Sequence, residues 1–183
     1  MTQAKPRSPG DPVGRVCWIA GRPAAGKTTL ARRLAEELRG RGVRCEVLDS
    51  DEAREAITPA ATYAAAERML FYRALAYTAR RLAAVGVAVV VAATAGSGEL
   101  LAEVRAMCPA VFLVYARCDV AVAAARDPKG LYAAARADPS STLPGAGSPY
   151  EPPPDPAWIV DTDRAVPDEA VARLADRFLS EAH

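Results

Sequence analysis

Lys27, Thr28 and Thr29 directly follow a glycine-bounded loop, Gly21-Arg22-Pro23-Ala24-Ala25-Gly26. That order fits G-x-x-x-x-G-K-S/T, the pattern of a loop that cradles phosphates. Gly21 and Gly26 permit the tight turn that aims backbone N–H groups, those of Ala24 and Ala25 among them, at phosphate oxygens. A helix opening at Lys27 adds the partial positive charge of its N-terminus. Lys27 would neutralise the β- and γ-phosphates of ATP, and the Thr28 hydroxyl would ligate Mg²⁺.

Asp49 and Asp51 are the second group able to do chemistry. They follow an apolar stretch and lie two residues apart, so both can face one cleft. One would order Mg²⁺, with Asp49 joining Thr28 at the metal. The other would accept the proton of an attacking hydroxyl. Which is the base stays open, and Asp51 would alternatively serve only as the N-cap of a following helix. The single histidine is His183 at the C-terminus, so the general base is a carboxylate rather than an imidazole.

Several classes of function are excluded. The formal net charge is +1 with 25% charged residues, which gives no surface for nucleic acid or anionic lipid. The longest mostly apolar run, 82–95, is too short to span a bilayer. Four cysteines without a C-x-x-C pair read as reduced core thiols of a cytoplasmic protein. Only three lysines occur, Lys5, Lys27 and Lys129, in a chain that otherwise uses Arg, so Lys27 and Lys129 mark places where a compact ammonium matters.

The elements that must position these residues alternate. Strands are expected at 15–20, 44–48, 87–92, 111–115 and 158–161, and helices at 27–39, 64–84, 98–107, 120–126 and 168–179. In the second helix Leu70, Ala74, Tyr77 and Leu82 fall near helical spacing and are the expected apolar stripe. Repeated βα units predict an α/β class: a three-layer α/β/α sandwich of the P-loop NTPase type on a mostly parallel five-stranded sheet. Ligands in such sheets sit at the carboxyl ends of the strands, where the glycine loop, Asp49, Asp51 and Thr94 all fall. Residues 1–14 read as a loose tail and 15–183 as one domain. Its Pro/Ser/Gly-rich part, within 126–157, would form a lid and acceptor loop.

A GTPase would carry an N-K-x-D segment, which is missing. The small size and the late loop suit a small-molecule kinase with an alcohol acceptor. The rival reading is an ATP-binding partner protein without transfer activity.

The most specific segments are Arg126-Asp127-Pro128-Lys129-Gly130-Leu131-Tyr132, Ala135-Arg136-Ala137, Pro149-Tyr150-Glu151-Pro152-Pro153 and Asp161-Thr162. Together with the phosphate loop and Leu48-Asp49-Ser50-Asp51-Glu52-Ala53-Arg54, they resemble the adenylyl-sulfate kinase (APS kinase) family. In that family ATP phosphorylates the 3′-hydroxyl of adenosine 5′-phosphosulfate. The resemblance implies that Arg126 and Lys129 lie in a lid over the phosphates, and that members pair as homodimers. It implies an acceptor site built from Asp51, Arg54, Tyr63, Arg68, Phe71, Lys129, Leu131 and Leu143, with Arg68 and Lys129 also serving catalysis. The departures gather on the acceptor side. Glu52 stands where the family has Asn, adding negative charge where an anionic acceptor would bind. Phe71 replaces a second Asn, Ala95-Gly96-Ser97-Gly98 replaces S-P-Y-R, and Leu143 replaces the Phe that stacks an adenine. The acceptor is therefore expected to be APS or another small alcohol.

Overall fold

The computed structural model describes residues 14–139 and 141–180. The expected tail, apart from Gly14, and His183 lie outside the described residues. The elements run β1 (Val16–Ala20), α1 (Lys27–Gly40), β2 (Cys45–Asp49), α2 (Ser50–Ile57), α3 (Ala65–Ala84) and β3 (Ala88–Ala93). They continue through α4 (Gly98–Met107), β4 (Phe112–Arg117), α5 (Val120–Arg126), α6 (Leu131–Ala137), β5 (Trp158–Asp161) and α7 (Asp168–Ser180). Five strands form one sheet in the order β2-β3-β1-β4-β5, and every pairing is parallel. The expected α/β/α sandwich is thus observed.

Alternation along the strands divides the core into two layers. Cys17 and Ile19 point to the face covered by α1 and α7, where Leu30, Leu34, Leu38, Leu174 and Phe178 are buried. Val16, Trp18 and Ala20 point to the other face, beneath α3 and α4. β3 is buried at all six positions, as a central parallel strand with helices on both sides must be. β1 is the central strand, so the chain crosses to opposite halves of the sheet around its carboxyl end and opens a crevice there.

Three expectations are corrected. α3 does not bury the stripe that includes Leu70 and Tyr77, which are 68% and 49% exposed. It buries Phe71, Tyr72, Leu75, Ala76, Ala79 and Ala83 instead. Both sets satisfy helical spacing because the helix is apolar on most sides. The sheet selects the set that carries two aromatic rings. Two short helices are missing from the expected elements, although a helix after Asp51 is the alternative reading of that residue. α2 begins at Ser50 because the Asp49 carboxylate accepts the Asp51 amide as N-cap, so the cap is Asp49 and not Asp51. α6 begins after Gly130, whose φ of +65° suits a residue without Cβ. The four cysteines are free and buried, and burial raises the Cys17 and Cys45 thiols, the latter to about 11.

Candidate active site

The loop between β1 and α1 turns through Gly26, at φ +80°, into the first turn of α1. Gly21 lies so close to β4 that a Cβ there would come within 2.8 Å of the Ala116 carbonyl oxygen. Ala25 is fully buried behind the loop, while Ala24 holds a left-handed φ of +57°. The Lys27 ammonium donates to the Arg22 carbonyl at 2.8 Å. Burial lowers its pKa to about 8, against the opposing pull of Asp51 and Asp49.

Asp49 ends β2 and is 8% exposed. One of its oxygens accepts the Thr28 hydroxyl at 2.6 Å and the other accepts the Asp51 amide at 2.8 Å. A hydroxyl and a carboxylate joined at the mouth of a phosphate loop are hard oxygen donors of the kind Mg²⁺ takes when nucleotide phosphates and water complete its shell. Among the described residues no three His, Cys, Asp or Glu side chains converge as a metal cage of their own. That suits a metal that arrives with its nucleotide. Asp51, two residues on, is exposed and accepts from the Lys129 ammonium at 2.9 Å, and that bond raises the Lys129 pKa.

These groups line one cleft of about 1190 Å³. Ala24, Gly26, Lys27, Thr28 and Thr29 line it together with Asp49, Asp51, Arg126, Lys129 and Leu131. Arg54, Tyr63, Arg68 and Leu143 line the same cleft. The Arg54 guanidinium lies 3.9 Å from the Phe71 ring centroid and 5.0 Å from that of Tyr63, and it pairs with Glu67 at 3.4 Å. Tyr63 takes a φ of +58°, rare for an aromatic residue and a local strain at the cleft rim. Arg68 donates to the Thr142 hydroxyl at 2.8 Å and to its carbonyl at 3.1 Å, tying α3 to the loop that carries Leu143. Arg126 donates to the Asp163 carbonyl at 2.7 Å.

Gly21, Ala25 and Phe71 are not cleft-lining residues. The first two shape the loop from behind. Phe71 is 1% exposed and serves as the shelf on which Arg54 lies, because an aromatic side chain at that position of α3 joins the core. Glu52 is also displaced from its expected place. It lines a separate small groove with Arg32, Glu36, Arg39 and Glu46, so its charge is not in the main cleft with Arg54 and Arg68. Three residues escaped the sequence reading. The Tyr72 hydroxyl accepts the Ala95 amide at 2.7 Å at the edge of the cleft, and Tyr72 lies outside the expected apolar stripe of α3. One Asp127 oxygen accepts the Tyr132 and Ala133 amides at 3.0 and 3.1 Å and caps α6, for which the Asp-Pro-Lys-Gly run was a usable signal. Arg22, inside the glycine loop, had no signal beyond its basic character.

The arrangement supplies donors for phosphate oxygens, a carboxylate in the cleft and two arginines that suit an anionic acceptor. The sequence profile of the family described as adenylylsulphate kinase matches residues 13–161. An adenylyl-sulfate kinase of Deinococcus deserti is 38% identical over 166 residues, 91% of this chain and 92% of that protein. A Sorangium cellulosum protein named probable bifunctional SAT/APS kinase 2 is 36% identical over 161 residues, which span 88% of this chain and 28% of that protein. The structure of the Mycobacterium tuberculosis APS kinase CysC in complex with AMPPNP and APS superposes with a TM-score of 0.85 at 31% identity, covering 92% of this chain and 99% of that one.

Proposed function

This chain belongs to the adenylylsulphate kinase family, and on that basis we propose that it transfers the γ-phosphoryl group of ATP to the 3′-hydroxyl of APS, giving PAPS and ADP. The observation that carries this reading is the meeting, in one cleft, of the Lys27–Thr28 loop, the Asp49–Asp51 pair and the Arg54–Arg68 rim.

Lys27 holds the β- and γ-phosphates, and Arg126 with Lys129 faces them from a lid within 126–157. Thr28 and Asp49 would hold Mg²⁺, which when bound would offset charge on the phosphate oxygens. Arg54 and Arg68 orient the acceptor through its anionic end, with Tyr63, Leu131 and Leu143 against its apolar parts. Asp51 is the base. The 3′-oxygen forms a bond to the γ-phosphorus, the bond from that phosphorus to the β,γ-bridging oxygen breaks, and the hydroxyl proton passes to the Asp51 carboxylate. The Lys129–Asp51 ion pair must open for this step, and a phosphoryl group drawing Lys129 away would free the carboxylate.

Phe71, Gly96 and Leu143 depart from the family pattern beside or beneath the acceptor half, so they set acceptor affinity rather than the chemistry. One domain over 15–183, a homodimer and a cytoplasmic setting complete the reading. They are supported by the continuous sheet, the family resemblance and the four free thiols. The test is incubation with ATP, Mg²⁺ and APS, scored by mass spectrometry. Equal amounts of PAPS and ADP are expected, and nucleotide binding without PAPS sinks the proposal.

A further inference from the structure

Arg22 sits where the phosphate loop meets the loop that borders the acceptor. Its backbone carbonyl accepts both the Lys27 ammonium at 2.8 Å and the Ala25 amide at 3.2 Å. Its side chain reaches the other way. The guanidinium lies over the Tyr150 ring, 5.1 Å from the centroid, within the range of a cation–π contact. One guanidinium nitrogen packs against Gly145, where an added Cβ would meet it at 3.4 Å and the Tyr150 Cβ at 3.6 Å. Gly145, at φ +88°, starts the tight turn in which its amide donates to the Ser148 carbonyl at 2.7 Å and the Ala146 amide donates to the Leu143 carbonyl at 3.1 Å. Beside it the Tyr132 hydroxyl donates to the Pro23 carbonyl at 3.1 Å, so α6 is moored to the same loop.

This contact is costly. Arg22 Nε and Tyr150 Oη are both buried without a hydrogen-bond partner among the described residues. Buried polar atoms left unpaired in this way oppose folding and call for another explanation. The bond between Lys27 and the Arg22 carbonyl is also one that a nucleotide contests, because phosphate oxygens compete for the same ammonium. One residue therefore has its backbone on the donor side and its side chain on the acceptor side.

We propose that Arg22 is a positioning residue that couples occupancy of the phosphate loop to the ordering of the acceptor loop 143–150. When phosphate draws Lys27 off the Arg22 carbonyl, the backbone at Arg22 is released to adjust. Its guanidinium carries that adjustment to Tyr150 and Gly145, and Leu143 is set against the acceptor. The coupling is reciprocal in binding: an acceptor that orders the loop tightens nucleotide binding by the same factor. The inference rests on the phosphate loop taking ATP and on residues 143–150 bordering the acceptor.

Hydrogen exchange on the full chain, with and without AMPPNP and Mg²⁺, tests it without needing the acceptor's identity. In the wild type, nucleotide should slow exchange about fivefold or more at the amides of Gly145, Ala146 and Ser148, as well as at the phosphate loop. In Arg22→Leu the phosphate loop should still be protected while the 145–148 amides no longer respond. Arg22→Lys, which keeps charge without the planar face, should respond in between. Tyr150→Leu removes the same contact from the other side and should repeat the loss if Arg22→Leu fails to fold. In binding and turnover, Arg22→Leu should raise the acceptor KM at saturating ATP about 5- to 10-fold and weaken ATP by a similar factor at saturating acceptor, while AMPPNP affinity without acceptor stays within twofold, a pattern that general loosening would not give. Undiminished protection at 145–148 in Arg22→Leu, or no response there in nucleotide-bound wild type, overturns the coupling. Wild type that binds AMPPNP and shows the response but makes no PAPS overturns the proposed reaction and leaves the coupling standing. Wild type that does not bind nucleotide overturns both.

Discussion

Replacing Asp49 with Asn removes a charge and one acceptor while keeping shape. Asp49 uses both oxygens, one for the Thr28 hydroxyl at 2.6 Å and one for the Asp51 amide at 2.8 Å, at a site only 8% exposed. Asn has a single acceptor oxygen, so one donor is left facing an NH₂ group. A hydrogen bond to a charged group contributes roughly 1.5–3 kcal/mol and a helix N-cap about 1 kcal/mol. A loss of about 2–3 kcal/mol follows, since the cap can survive on the remaining oxygen. At roughly 2–4 °C per kcal/mol for a chain of this size, Tm should fall by about 4–12 °C in scanning calorimetry. Because Asp49 would also hold Mg²⁺, kcat/KM for MgATP should drop at least ~100-fold, about 2.7 kcal/mol of transition-state stabilisation. Thr28→Val separates the two roles. It breaks only the first bond, so Tm should fall less while activity falls comparably. The two substitutions share an interaction and should be non-additive in stability. An Asp49→Asn protein melting within about 1 °C of wild type, with unchanged kcat/KM, would refute this reasoning.

The remaining predictions concern charge and shape in the same cleft. Lys27 has a folded-state pKa of about 8 against an ordinary 10.5. Its ammonium is therefore charged on both sides of unfolding below pH 8, and the folded state holds fewer protons between the two values. Through that window the group's contribution to stability rises with pH, while phosphate binding must recharge the lysine. kcat/KM for ATP should therefore decline above about pH 8 in a pH series, and a profile flat to pH 9.5 would count against a buried, phosphate-binding Lys27. Lys129→Ala removes an ion pair whose side chains are 54% and 63% exposed, so Tm should barely move. Its kcat should fall about tenfold or more, and unchanged steady-state kcat would remove Lys129 from catalysis. Leu143→Phe returns a ring to the acceptor wall, and base stacking is worth roughly 1–3 kcal/mol. The KM for APS should drop about fivefold or more with kcat unchanged. No change in KM would mean that the adenine does not meet residue 143.

The sheet and the glycine loop that leads from it into α1 were readable because their signals are local. Continuous apolar runs mark β1 and β3, and one short motif fixes the turn from β1 into α1. The misses share a different cause, which is competition between surfaces. α3 offers two apolar stripes, and only the sheet decides that Phe71 and Tyr72 go inward while Leu70 stays out. Phe71 thereby changes from an expected substrate contact to the support of Arg54. Glu52 follows Asp51 by one residue but, on a helix, that step turns it toward the groove of Arg32 and Arg39. The sequence reading ends the strand at 48 and gives no bounds to a helix between there and 64, and α2 is only eight residues long with Asp49 as its cap. α6 was hidden by Pro128 and Gly130, which read as loop until Asp127 is seen capping the amides beyond them. The role of Arg22 depends on Gly145 and Tyr150, more than 120 residues away, and no local pattern carries that contact.

The most direct measurement is a single-turnover assay with γ-³²P-labelled ATP, Mg²⁺ and APS, run on wild type and Asp51→Asn side by side. Wild type should move the label to the 3′-position of APS with one ADP formed per PAPS, and the variant should do so at least ~100-fold more slowly while still binding ATP. ADP or free labelled phosphate without labelled PAPS, or equal rates in the two proteins, would contradict an APS kinase that uses Asp51 as its base.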